Sequence, residues 1–334
     1  MERDRNGMAR RVAVIVALCA ISIASAIVCV GIGSVRFSAV EILRALFVED
    51  GSTSRLLIWH LRFPRVLTGG LVGVCLSLSG CILQGVMRNT LASPTTIGVT
   101  GGAGFVGYLT LVVFPAYAFL LPIGAVIGAF ATTMLIYALA YRKGVSPVRM
   151  ILSGMAVSAL FGAFNDMIKT FFADSLGNAS GFLVGGLNGA GWDSFCMILP
   201  YAAVGMLLCL WLPAKMNILM LGDENANSLG LRTERFRFLL IAVSSLLAGA
   251  AISAAGLISF VGLIVPHIAR LLVGPDHKYL LPTSMLLGFS LVTVCDTVGR
   301  MIMPPGEIPV SIILSVIGAP FFLWLLRTRG QGGE

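Results

Sequence analysis

Apolar stretches recur along this chain at 12–33, 64–86, 93–113, 118–140, 147–172, 195–213, 236–255, 257–272, 280–300 and 308–326. Each approaches the roughly 20 residues that a helix needs to cross a hydrocarbon core about 30 Å thick. Polar residues gather between the stretches, so the pattern predicts ten membrane-spanning helices. The eighth is the shortest and carries Pro266 as a kink. Segment 36–61 is amphipathic instead. It predicts a short surface helix over Ser38–Val48 with Ser38 as its N-cap. The longest polar interruption is Pro213–Arg237.

One stretch organises the rest. Leu61–Gly102 opens on Arg62-Phe63-Pro64-Arg65 and continues as a Gly/Ser-studded apolar run to Gln84. It then turns at Arg88-Asn89 and is broken again at Pro94 before Gly98 and Gly102. Small residues four apart let helix backbones approach closely, which marks Gly73, Gly80, Gly98 and Gly102 as packing positions, with Gln84, Asn89 and Pro94 beside them. Gly73-x3-Ser77-x-Ser79-Gly80 is echoed by Gly249-x3-Ser253-x-Ala255-Gly256. The first lies on a span running inward and the second on one running outward, the arrangement of an inverted repeat. General helix packing produces the same spacing.

With 57% hydrophobic and 11% charged residues, the chain falls far below the roughly 25% charge of soluble domains. The fold class is therefore an all-α integral membrane protein, one domain over 1–334. Its net charge of +8 sits at the ends of the apolar runs, which fits topology and anionic lipid rather than nucleic acid. Starting with the N-terminus in the cytoplasm puts most of the 23 lysines and arginines inside, and ten spans return the C-terminus there. The basic start and the long first run read as an uncleaved first span. Cys19, Cys29, Cys75, Cys81, Cys196, Cys209 and Cys295 lie in or beside apolar runs and read as small buried hydrophobes.

Enzyme signatures and cofactor sites are missing from the sequence. Histidines stand only at 60, 267 and 277, no metal-ligand run occurs, and no lysine follows a glycine, so a phosphate-binding Gly-x4-Gly-Lys loop is impossible. Any ATP hydrolysis belongs to another chain. Arg62 and Arg65 flank Pro64 on the side where basic residues are disfavoured, and Arg300 ends the ninth span there, four residues after Asp296. Such arginines would grip carboxylates of a soluble partner; interfacial anchoring explains them equally. On the inner side, Asp223-Glu224-Asn225 would open a short helix, Ala226 and Leu229 would form its apolar face, and Gly230 would cap it. That is either a plug for a partner's groove or a solvated loop. Asp166 and Lys169 form an ionisable i,i+3 pair in the fifth span, near its outer end, where proton coupling has little use for it.

The same residues resemble the FecCD-type permeases. The resemblance runs from Leu61-Arg62-Phe63-Pro64-Arg65, Ser79-Gly80, Gln84, Arg88-Asn89, Pro94 and Gly98 through Gly101-Gly102-Ala103-Gly104 and Ser146-Pro147-Val148-Arg149. It continues in Leu221-Gly222-Asp223-Glu224 with Leu229-Gly230, Gly256 to Leu263, Pro266-His267, Asp276-His277, Asp296, Arg300 and Glu307-Ile308-Pro309-Val310. The resemblance implies ten helices per subunit and a second permease subunit. It also implies two cytoplasmic ATPase subunits, an extracytoplasmic substrate-binding protein, and uptake of iron-siderophore complexes, haem or vitamin B12 across a bacterial cell membrane. It further implies that Arg62, Arg65 and Arg300 meet acids of the binding protein. Leu221, Gly222, Asp223, Glu224, Asn225, Leu229 and Gly230 would belong to the segment that couples to the ATPase. Thr90, Ser93, Ser311 and Phe182 depart from the family's usual residues, away from the arginines and the coupling segment. A carrier or channel that works without an ATPase is the competing class, and it would depend on Asp166 or Lys169.

Overall fold

The computed structural model describes residues 2–33, 35–48, 51–141, 146–303 and 306–330. Among the described residues the architecture is helical. α1 is Glu2–Gly31, α2 Ala39–Phe47 and α3 Thr53–Leu56, which runs through a π-turn at Leu57–Arg62 into α4, Phe63–Met87. α5 is Val99–Tyr108, α6 Leu121–Ala140, α7 Pro147–Phe171, α8 Leu176–Val184 and α9 Trp192–Trp211. Then follow α10 Pro213–Met220, α11 Asp223–Ser228, α12 Thr233–Ala255, α13 Val261–Val273, α14 His277–Ile302 and α15 Val310–Gly330. Among the described residues seven helical stretches are long and apolar enough to cross a membrane, and three shorter apolar helices, Val99–Val113, Val261–Val273 and Val310–Leu325, occupy the remaining expected spans.

The boundaries differ where backbone chemistry overrides hydropathy. The second stretch starts at Thr53, a few turns ahead of Pro64. Proline has no N–H to donate and its ring crowds the preceding turn. A widened π-turn accommodates it, and the Trp59 carbonyl five residues back accepts the Trp192 indole N–H at 2.8 Å. The third and eighth spans start late, at Val99 and Val261, after non-helical stretches over 88–98 and 256–260. Phe260, at φ +68, and Gly98, at φ +88, sit in the left-handed region. The surface helix appears as expected, with Ser38 and Glu41 forming a reciprocal capping box. Cysteines 29, 75, 81, 209 and 295 are buried as expected, but Cys19 and Cys196 are exposed on outward-facing helices.

α4 and α12 form the centre and are buried along most of their lengths, while α1, α7 and α9 show theirs outward. α4 lies antiparallel to α14: Arg65 meets Asp296, Gly73 the Gly288 backbone, and Gly85 the His277 ring. At Gly73 and Gly80 a side chain would overlap the carbonyls of Gly288 and Gly262, so only glycine permits those crossings. α12 repeats the arrangement on α6, with Gly249 against Val126 and the Ser245 hydroxyl 2.9 Å from Thr133. α4 and α12 are themselves antiparallel, their hydroxyls meeting midway at Ser79 and Ser244, 2.7 Å apart. α4 also packs on α13, and α12 on α5. The helices α4–α7 and α12–α15 thus make corresponding contacts while running in opposite directions.

Candidate docking and coupling sites

The helix directions sort the charged residues into two ends. At one end the π-turn and Pro64 aim Arg62 and Arg65 to different sides. Arg62 is buried and donates through Nη1 to the Val30 and Gly31 carbonyls at 3.1 and 3.2 Å, and through Nη2 to Val35. Its guanidinium also stacks over Phe37, 4.7 Å from the ring centre. It acts here as a cation on the open carbonyls at the end of α1, turned toward its own chain rather than outward.

Arg65 makes a bidentate pair with Asp296, Nε to Oδ2 at 3.0 Å and Nη2 to Oδ1 at 2.8 Å. Its Nη1 donates to Glu307 at 2.9 Å and its Nη2 also to Asn188 at 3.2 Å. Arg300 closes the network. It approaches Asp296 at 3.3 Å, as its i,i+4 spacing anticipates, and donates to Thr297 and to the Cys29 carbonyl. The three arginines surround one cavity of about 310 Å³, walled also by Leu57, Leu61 and Glu307. Trp59, Phe63 and Trp192 cluster beside it with ring centres 5.2–5.8 Å apart, as aromatic residues do at a membrane interface. The structure therefore brings Arg62, Arg65 and Arg300 together, and gives each an internal partner.

The opposite end is built on α11. Gly222, at φ +103, breaks α10 from α11. The end of α11 is a Schellman turn, with the Leu231 N–H on the Ala226 carbonyl at 3.0 Å and the Gly230 N–H on Asn227 at 2.9 Å. Gly230 sits at φ +80, as its capping role requires. Asp223 takes two arginines: Arg88, which closes α4 at φ +47, and Arg237 of α12 at 2.9 Å. Glu234 holds the far side of Arg237 at 3.1 Å and accepts from Tyr137 at 2.9 Å. The Asn225 amide turns back onto the Leu221 carbonyl at 2.9 Å, and Glu224 stays exposed. Ala226 does not contribute to an outer apolar face: it is buried against the chain, because the cap folds Leu231 back over it. The apolar residues offered outward are Leu221 and Leu229, 56% and 61% exposed.

Behind this end Asn217 of α10 joins Asp276 at 2.7 Å and the His277 ring at 2.7 Å. Burial pushes the Asp276 carboxyl up, but the Lys278 N–H, the Asn217 amide and Arg11 outweigh it and leave it below its ordinary range. Of the packing positions, Gln84 is buried and accepts from Arg270 at 3.0 Å. The Asn89 side chain caps the Leu91 N–H at 2.9 Å, the Pro94 carbonyl accepts from Val99, and Gly102 abuts Thr132 and Gly128. Asp166 and Lys169 are paired at 2.9 Å and largely exposed on α7, with the Lys169 amine over the Tyr108 ring. Among the described residues no group of three or more His, Cys, Asp or Glu is placed to hold a metal.

Residues 18–328, nearly the whole chain, match the FecCD transport family. The chain belongs to that family. This FecCD member is 36% identical to the Fe(3+)-citrate import system permease protein YfmE of Bacillus subtilis over 99% of both chains. It is 39% identical to the cobalamin import system permease protein BtuC of Halobacterium salinarum over 89% of this chain and 81% of that one. A solved metal-chelate type ABC transporter in an inward-facing conformation overlays it with a TM-score of 0.85 at 30% identity, covering 95% of this chain and 99% of that one. The chain is accordingly a membrane permease of the FecCD type. Within this FecCD fold, sequence reasoning missed Glu307 and Asn188 as partners of Arg65 and the two-arginine clamp on Asp223. Glu307 was detectable as the only charged residue between Arg300 and Arg327; the Asn188 and Arg88 pairings join residues more than a hundred positions apart.

Proposed function

We propose that this chain is the permease subunit of a binding-protein-dependent, ATP-driven importer in a bacterial cell membrane, carrying iron(III)-siderophore complexes by alternating access. The observation that carries this reading is the two-ended build. An arginine-lined cavity stands at one end, and at the other a short capped helix projects Leu221 and Leu229 from a salt-bridged base. The excess of lysine and arginine near α11 supports a cytoplasmic position for that end and for both termini, with ten spans in a single domain over 1–334. Two cytoplasmic ATPase subunits would seat α11, and an extracytoplasmic substrate-binding protein would dock over the cavity formed by Arg62, Arg65 and Arg300. A second permease, identical or homologous, would complete the pathway. The binding protein selects the substrate, which suits a permease so poor in polar groups. The near full-length likeness to a ferric-citrate permease favours a ferric chelate; the 39% likeness to a cobalamin permease keeps cobalamin as the second reading. The mutual pairing of Asp166 and Lys169 argues against a carrier driven by ions alone.

Reconstitution with and without candidate ATPase and binding-protein subunits, following labelled ferric chelate, haem and cobalamin, tests the proposal. Uptake of a ferric chelate that requires both partners and ATP is the expected result. Uptake that persists without any ATPase would refute the reading, and uptake of cobalamin alone would replace the substrate.

A further inference from the structure

The arginine cavity contains an imbalance that its geometry makes useful. Arg62, Arg65 and Arg300 line the cavity, and Asp296 and Glu307 pair with Arg65 and Arg300, three positive charges against two negative. The two carboxylates are held very differently. Asp296 is 4% exposed, stands in the body of α14, and is gripped by two guanidinium groups. Glu307 is 32% exposed, lies on the segment between α14 and α15, and touches Arg65 through one oxygen, Oε2 to Nη1. That segment is tethered behind Glu307 by the Ile308 N–H on the Gly299 carbonyl at 3.0 Å, which leaves the Glu307 side chain the part able to swing. The Arg65–Asp296 fork uses Nε and Nη2, atoms that Glu307 does not touch.

We propose that Glu307 is an exchangeable internal ligand of Arg65. It occupies in the free permease the place that a carboxylate of an acidic protein surface takes on docking, and so sets the affinity of that docking. The proposal rests on the docking reading of this end. Arg65 is then the arginine that meets the partner, because Arg62 is committed to backbone carbonyls and Arg300 to Asp296, Thr297 and the Cys29 carbonyl. An incoming carboxylate must displace Glu307, and the displaced side chain moves into water, where its charge is solvated at little cost. Selectivity follows, since a partner offering only neutral polar groups cannot replace a charge-assisted bond.

The test uses the full chain in lipid nanodiscs and a fluorescein-labelled pentaglutamate peptide, read by anisotropy at low and at high salt. Glu307→Gln removes the competing charge and keeps the side chain's size. It is expected to bind the peptide about three- to fivefold more tightly than the unaltered chain at low salt, the range of an exposed ion pair, with the gain lost at high salt. The same change in an Arg65→Gln background should give no gain, which separates this site from the basic residues elsewhere on the disc. A gain of equal size in both backgrounds, or no gain in either, overturns the exchange. If Glu307→Gln gives no gain yet Arg65→Gln weakens binding, the exchange fails while the docking reading stands. If neither residue affects peptide binding, both fail.

Discussion

Replacing Asp296 by alanine isolates the buried charge at the centre of the arginine network. The carboxylate is 4% exposed, with Arg65 12% and Arg300 7% exposed around it. Removing one partner of a buried ion pair typically costs about 3–5 kcal/mol, because the remaining charge is left without compensation. Here the loss belongs at the lower end, since Arg65 keeps Glu307 and Asn188, and Arg300 keeps Thr297 and the Cys29 carbonyl. At roughly 2–4 °C per kcal/mol, Asp296→Ala should lower the unfolding midpoint in detergent by about 6–12 °C. Asp296→Asn, which preserves an acceptor but not the charge, should lose roughly half as much. The molecule carries its own reporter: Cys75, Cys81 and Cys209 are buried and should react with a thiol dye on unfolding. Glu307→Gln is the control, and an exposed pair predicts a fall of no more than about 2–4 °C. A midpoint for Asp296→Ala equal to that of the unaltered chain, or a Glu307→Gln fall as large, would refute the distinction between a fixed and an exchangeable carboxylate.

Gly73→Val should lower the same midpoint by more than the roughly 1–3 kcal/mol of ordinary overpacking, because the neighbour it meets is the Gly288 backbone; Gly162→Ala, with open space around it, should not. Ser38→Ala should loosen α2 by about 1 kcal/mol, read as faster amide exchange over Ala39–Phe47. The Glu41 carboxyl is held below its ordinary value of 4.5 by the Ser38 backbone N–H and hydroxyl. Its contribution is therefore whole above that value and is lost as pH falls through the lower folded one, so the exchange gap between the two chains should shrink on acidification.

The helical membrane architecture was legible because hydropathy reports it directly, and the cap of α2 was legible because Ser38 and Glu41 are local. The break before α5 was signalled by Arg88-Asn89 and Pro94 but its full extent was not, and the break before α13 was not legible. Ile97 and Leu257-Ile258 are apolar, so hydropathy runs on through places where the backbone leaves the helix at the positive-φ residues Arg88, Gly98, Gly256 and Phe260. The Leu221–Leu231 helix and its glycine cap followed from turn chemistry, yet its outer face did not. Ala226 looked like part of an apolar patch, and the Schellman turn that Gly230 makes is what folds it inward. The arginines were found by their improbable position, but their occupants were hidden, since two of Arg62's three acceptors lie at the end of α1 and Arg65's acids lie on α14 and beyond it.

The unequal clamp on Asp223 decides how a movement of α11 would be divided between α4 and α12. Arg237 is 3% exposed and is backed by Glu234, whereas Arg88 is 36% exposed and has no second acid among its described partners. An exposed pair contributes about 0–1 kcal/mol and yields readily, while a buried charge left without its partner is costly. α11 is therefore anchored to α12 and only loosely tied to α4. Along α4, the backbone contacts at Gly73 and Gly80 leave no slack against α14 and the start of α13. On the proposed function, an ATPase pulling on Leu221 and Leu229 would carry α12 with it and shift it against α4 across the Ser79–Ser244 contact. That contact is a hydroxyl pair with carbonyl acceptors on both sides, Ser244 for the Ser79 hydroxyl and Ser79 for the Ser244 hydroxyl. A small slide can thus exchange one hydrogen bond for another, where an interlocked apolar crossing would resist.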